Sequence, residues 1–167
     1  ILPFFVFSAT AGQLADRYDK AILIRLIKAL EVGIMTLACA GFFMNNLSFL
    51  LGSLFLLGIH STLFGPIKYA ILPQALEAEE LVGGNALIET GTSLAILVGS
   101  ILGGFLIAQP SGGIESLSIA IVVVSFIGLA ASFFIPRTGV AAPDLKVNWN
   151  PVTETWRNIH FIRENKT

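Results

Sequence analysis

The apolar residues of this chain run in blocks of about 20, and that block length constrains the fold more than any other feature. A helix needs about 20 residues to cross roughly 30 Å of hydrocarbon. Lipid satisfies neither a free N–H nor a free C=O, so each block is predicted to be an α-helix whose backbone bonds close within itself. Composition agrees: 54% of the 167 residues are hydrophobic and 13% are charged. A soluble domain carries about a quarter charged residues, so this chain has too few to coat a water-facing surface. The expected fold class is an all-α membrane protein.

Spans are predicted at about 1–15, 22–43, 47–71, 84–108 and 115–136. Residues 1–136 form the membrane unit and residues 137–167 a linker. The chain begins at Ile1, without a basic stretch in Ile1–Ala15 of the kind that opens a signal peptide. The first span therefore reads as the end of a longer one, and the chain as cut at both ends. Asn45 and Asn46 mark one tight turn, and Pro110, Ser111, Gly112 and Gly113 another.

Basic residues set the orientation. Arg17, Lys20, Arg25, Lys28, Lys68, Arg137, Lys146, Arg157, Arg163 and Lys166 all fall on one side of the predicted spans, and the turns at Asn45 and Gly112 carry none. Positive charge resists translocation, so loop 12–21 and tail 137–167 are expected in the cytoplasm. In the tail, Asn150 and Pro151 read as an N-cap followed by proline at the first helical position. Val152, Trp156, Ile159 and Ile162 share one face, with Arg157, Arg163 and Lys166 around it. That pattern fits a helix lying on the membrane surface, or one packed on a further domain.

The net charge of −1 gives no reason to expect a nucleic-acid partner. Cys39 is the single cysteine and sits in an apolar run, where it reads as a small buried side chain. No metal-ligand cluster, nucleophile triad or phosphate-cradling glycine loop is evident, so neither catalysis nor a cofactor is expected.

Between the first two spans lies Gly12-Gln-Leu-Ala-Asp16-Arg17-Tyr-Asp19-Lys20. Gly12 would let two helices approach closely, and Asp16 sits at a helix end where a carboxylate can meet a helix N-terminus or a basic partner. The stretch resembles the signature loop of the major facilitator superfamily, with Gly12, Asp16, Arg17 and Lys20 on the pattern. Asp19 stands where that pattern has glycine, and Ala21 where it has a basic residue. The resemblance implies a cytoplasmic gate latched by Asp16.

The third span holds His60, Ser61, Thr62, Gly65, Pro66, Lys68 and, just beyond, Pro73. Pro66 lacks an N–H and frees the carbonyl of Thr62, so a helix break lined by polar residues is expected around Gly65, Pro66 and Pro73. Lys68 lies about one turn inside the basic end, where it either snorkels to the interface or takes part in binding. His60 falls near mid-span, as a buried hydrogen-bonded ring or a proton relay. The run from Phe64 to Pro73, with Asn148–Pro151 and Thr155–Arg157, resembles the lysophospholipid-transporter branch of the superfamily. That resemblance implies spans two to six of about twelve, the first span and the carboxy-terminal half lying outside the chain. It also implies membrane-lipid surroundings, a lysophospholipid substrate, chiefly lysophosphatidylethanolamine, and inward movement across a bacterial inner membrane by alternating access. Members of the branch can be fused to an acyltransferase and acyl-carrier-protein synthetase, which is the alternative parent. A facilitator for another small substrate is a third reading. The arginine that many facilitator antiporters carry in the fourth span has no counterpart here, which counts against that form of proton antiport.

In the span 84–108, Glu89 lies about 7–8 Å inside the expected end. A lone carboxylate there is costly, so Lys68 or Arg17 is expected as its partner. Substrate-path candidates are therefore His60, Lys68 and Glu89. Gly99 and Gly103 are spaced to let another helix pack closely. Glu31 follows Lys28 by three residues, which predicts an ion pair within one helix. Glu77, Glu79 and Glu80 read as a solvated acidic loop.

Overall fold

The computed structural model describes residues 2–140 and, beyond them, Ala142, Leu145, Asn150 and Trp156. The expected surface helix, with Pro151 at its first position and Val152, Ile159 and Ile162 on its face, lies outside the described residues. So do Lys146, Arg157, Arg163 and Lys166. The described chain is helical, in the order α1 (Leu2–Arg17), α2 (Lys20–Phe43), α3 (Leu47–Ala70), a single turn α4 (Leu72–Ala75), a 3₁₀ turn (Ala78–Glu80), α5 (Leu81–Ile107) and α6 (Gly113–Ser132).

Helix ends follow local chemistry. Asp19 caps α2: its Oδ1 accepts from the N–H groups of Ala21 at 2.9 Å and Ile22 at 3.2 Å. Asn46 caps α3 in the same way, accepting from Ser48 and Phe49 at 3.0 and 3.3 Å. The turn before it uses Asn45 at φ 49°, a left-handed conformation that asparagine tolerates. The last helix was expected to run to residue 136 and stops at Ser132. Pro136 disfavours helical backbone at Ile135. The chain leaves in a tighter turn, with Phe133, Phe134 and Ile135 bonding back three residues.

The expected helix break at Gly65 and Pro66 is corrected. Pro66 lies inside α3, which runs through it to Ala70. The interruption comes later, at Ile71, and Pro73 occupies the first turn of α4. Thr62 is fully buried, and its hydroxyl donates to the carbonyl of Gly58 at 2.8 Å within the same helix.

Helix α2 packs most extensively against α3 and α6, α3 also packs on α1, and α5 leans lightly on α6. Ala15, Ile24, Ile27 and Ile67 form the buried cluster, with Leu63 and Phe64 against it. Elsewhere the helix contacts are lined by small polar residues: Ser53, Thr62, Ser118, Ser125 and Ser132 are all buried. Each hydroxyl bonds a carbonyl three or four residues back, so it enters the interior already satisfied. Small residues let helix backbones come close where lipid provides no hydrophobic drive. At Gly41, an added Cβ would meet Leu50 Cδ2 at 2.9 Å and Phe49 Cβ at 3.1 Å. Large apolar side chains such as Leu54, Phe105 and Val124 point outward and are more than half exposed.

Leu47–Ala75, Ala78–Ile107 and Gly113–Ser132 are long and apolar enough to cross a membrane. Helix α2 has the length, at 24 residues, but carries Lys20, Arg25, Lys28 and Glu31. The two turns without basic residues meet at one end, where Phe43, Asn45, Gln109 and Glu115 help line a cavity of about 320 Å³.

Candidate functional site

At the basic end, the α1–α2 turn is tied to the chain leaving α6. Asp19 Oδ2 accepts from the Gly139 N–H at 3.3 Å, and the Asp16 carbonyl accepts from the Ala142 N–H at 2.9 Å. Arg17 donates to the Leu145 carbonyl at 2.7 Å. Arg25 reaches the end of α6, donating to the carbonyl of Ile135 at 3.0 Å and to those of Ser132 and Phe133 at 3.5 Å. A cation at a helix C-terminus meets the negative end of its dipole and its unpaired carbonyls. The departure at Asp19 from the signature pattern thus has a structural use, because one carboxylate both caps α2 and holds the chain after α6. The Asp16 carboxylate stays exposed. Lys20 is buried, and its Nζ has no hydrogen-bond partner. Gly12 faces open space, so the close approach expected there is not made.

Lys68 and Glu89 come into one neighbourhood between α3 and α5, but not as a pair. Glu89 accepts from the Tyr69 hydroxyl, and Lys68 Nζ donates to Thr92 Oγ1 at 3.3 Å. The Lys68 ammonium also lies 4.8 Å from the centre of the Tyr69 ring. Both expected partners of Glu89, Lys68 and Arg17, are therefore corrected to Tyr69. Adjacent residues on a helix point about 100° apart, and here Tyr69 has the reach toward α5. The α3 and α5 backbones are not closely packed, so long side chains span the gap. One cation and one anion face a partly open space, an arrangement suited to a ligand carrying both charges.

His60 is placed apart from that cluster. It lies on α3 against α2, 7% exposed, with Nε2 3.4 Å from Glu31 Oε2. Lys28 Nζ reaches the same oxygen at 2.6 Å, which is the expected intrahelical pair. His60 is buried as expected, but its Nε2 is within ion-pair distance of the carboxylate without forming a hydrogen bond. The inclusion of His60 with Glu31 and Lys28 was not legible along the sequence, since it depends on how α2 and α3 are rotated against each other. Gly99 and Gly103 contact no helix at close range; they line a cavity of about 230 Å³ with Glu31, Met35 and Ser125.

Comparison with known proteins agrees with this helical arrangement. The profile of the Major Facilitator Superfamily matches residues 1–165. The lysophospholipid transporter LplT of Photorhabdus laumondii subsp. laumondii is 32% identical over 156 residues, covering 90% of this chain and 35% of that protein. The transporter of the same name from Pectobacterium carotovorum subsp. carotovorum is also 32% identical, covering 91% of this chain and 35% of the relative. That from an Enterobacter species is 30% identical over 93% of this chain and 37% of the relative. The chain thus spans about a third of the length of these curated relatives. No solved structure matches.

Proposed function

Since the chain belongs to the major facilitator superfamily, we propose that it is most of the amino-terminal half of a secondary carrier that moves lysophospholipid. The observation that carries this reading is the placement of Lys68 and Glu89 around Tyr69 and Thr92, in a chain whose relatives are named lysophospholipid transporters. A lysophosphatidylethanolamine headgroup has a phosphate and an ammonium. Lys68 suits the first and Glu89 the second, as charge-assisted contacts. The open apolar faces of α3 and α5 suit a single acyl chain. Transport runs inward across a bacterial inner membrane, with the basic end in the cytoplasm, by rocking of the two halves about the bound lipid. In the outward-facing state Asp16 latches the cytoplasmic gate.

The test is uptake of labelled lysophosphatidylethanolamine by the intact carrier in liposomes. K68A and E89Q are each expected to lower uptake at least tenfold. Uptake equal to that of protein-free liposomes would refute the substrate, and full uptake by both variants would refute the site.

A further inference from the structure

The end of the bundle away from the basic residues holds a cavity that the Lys68 and Glu89 site does not use. Three parts of the chain build it. The end of α2 and its turn bring Phe43 and Asn45. The end of α5 and its turn bring Ile107 and Gln109, and the first turn of α6 brings Ile114 and Glu115. Its volume of about 320 Å³ falls within the range of small-molecule sites, about 300–1,000 Å³.

Charge sets Glu115 apart. No Lys, Arg, Asp or Glu occurs between Glu89 and Glu115, or between Glu115 and Arg137. The α2–α3 turn has none either, so Glu115 is the one charged side chain at this end among the described residues. Neither ion pair among those residues includes it. The dipole of α6 favours a carboxylate in its first turn, but it does not account for two amides around the same cavity. Among the described residues, the side chains of Asn45, Gln109 and Glu115 make no hydrogen bond. All three are left to serve something from outside the chain.

We infer that this cavity is an outer loading site for the ethanolamine headgroup of a lysophospholipid. The inference rests on the carrier reading above and gives the same substrate a second station. An ammonium has three N–H donors and no acceptor. The Glu115 carboxylate and the amide oxygens of Asn45 and Gln109 match those donors in number. The two amide NH₂ groups remain to donate to the phosphate. Phe43, Ile107 and Ile114 are exposed and give the glycerol and the first acyl carbons an apolar surface.

Position along the membrane supports this use. Ile107 lies 18 residues after Glu89 on α5, which is about 27 Å of helix. The hydrocarbon of a bilayer is about 30 Å thick. The two sites therefore stand at the headgroup depths of the two leaflets, at opposite ends of one helix. A lysolipid moving inward starts at one depth and finishes at the other. The outer station also selects. A glycerol headgroup brings the phosphate charge without an ammonium, and Glu115 repels it.

The experiment measures initial uptake by the intact carrier in liposomes, over a range of lysophosphatidylethanolamine and lysophosphatidylglycerol concentrations. Wild type is compared with E115Q and with E79Q, a control at the basic end. E115Q is expected to raise KM for lysophosphatidylethanolamine about tenfold and to leave kcat within twofold, as loss of a loading contact does. Its KM for lysophosphatidylglycerol is expected to stay the same or fall, and E79Q to match wild type. An unchanged KM for lysophosphatidylethanolamine in E115Q would overturn the inference. So would an equal rise for both lipids, which would mark a structural effect.

A second measurement needs no transport. Purified carrier is irradiated with a lysophosphatidylethanolamine that carries a photoreactive group near its glycerol. Segments 42–45 and 107–115 are expected to be labelled, and at least tenfold less in E115Q. No labelling there overturns the loading site even if uptake is intact. Labelling in a protein that moves no lysolipid supports the site and refutes the carrier reading. Diacyl phosphatidylethanolamine and free glycerophosphoethanolamine are added as competitors. Equal competition by the diacyl lipid would make this a general lipid contact and overturn the loading role. Equal competition by the free headgroup would overturn the part given to the acyl chain.

Discussion

Helices α2 and α5 are both long, at 24 and 27 residues, and the bundle treats them in opposite ways. Helix α2 buries residues from Lys20 to Gly41 along its whole length, and α5 buries none. Yet α5 is the more apolar of the two, while α2 carries Lys20, Arg25, Lys28 and Glu31. In water this would be inverted. In lipid an apolar helix loses nothing by facing outward, whereas a charged one must find protein partners. Arg25 finds the carbonyls ending α6, and Glu31 finds Lys28 and His60. Charge, rather than apolarity, marks the helix at the centre.

The sharpest way to break this contrast is to strip α2 of its paired charge. E31A leaves Lys28, 23% exposed, without its carboxylate. Leaving this half-buried ammonium without its partner is expected to cost about 2–3 kcal/mol, read as a lower unfolding midpoint of the intact carrier in detergent. A glycine pair gives the next effect, with opposite signs on the two helices. G41A forces a Cβ against Leu50 and Phe49 and is expected to cost about 1–3 kcal/mol. G91A on α5 meets open space and is expected to gain about 0.5–1 kcal/mol from helix propensity. Equal shifts from the two would show that α2 is no better packed than α5.

The caps come third. D19A and N46A each remove an oxygen that serves two N–H groups and are expected to cost about 1 kcal/mol. D19A should also speed proteolysis around Gly139, which N46A should not, because Asp19, unlike Asn46, bonds to that segment. The smallest effect belongs to α5 again. E89Q on its exposed face is expected to change the unfolding midpoint by less than 1 kcal/mol, about the value of a solvent-accessible polar contact, even as it impairs transport.

What was legible in the sequence follows from the same physics. Block length and the turn signals at Asn45–Asn46 and Pro110–Gly113 are local, and they placed the helices to within a few residues. The Lys28–Glu31 pair is also local, three residues apart on one face. His60, Tyr69 and Arg25 act between helices, and helical rotation is not written in any short stretch. Glycine spacing misled for a related reason. Gly12, Gly99 and Gly103 are spaced as contact residues, but whether a helix lies opposite is a property of the assembled bundle. Pro66 misled because a single proline need not stop a helix embedded among others.

The stitching at the basic end has a mechanical consequence. The strand leaving α6 is fastened to α2 by Arg25 and to the α1–α2 turn through Asp16, Arg17 and Asp19. A pull on the chain beyond Leu145 is therefore not borne by α6 alone. It is shared across three helices, which makes the departing strand a handle on the whole bundle.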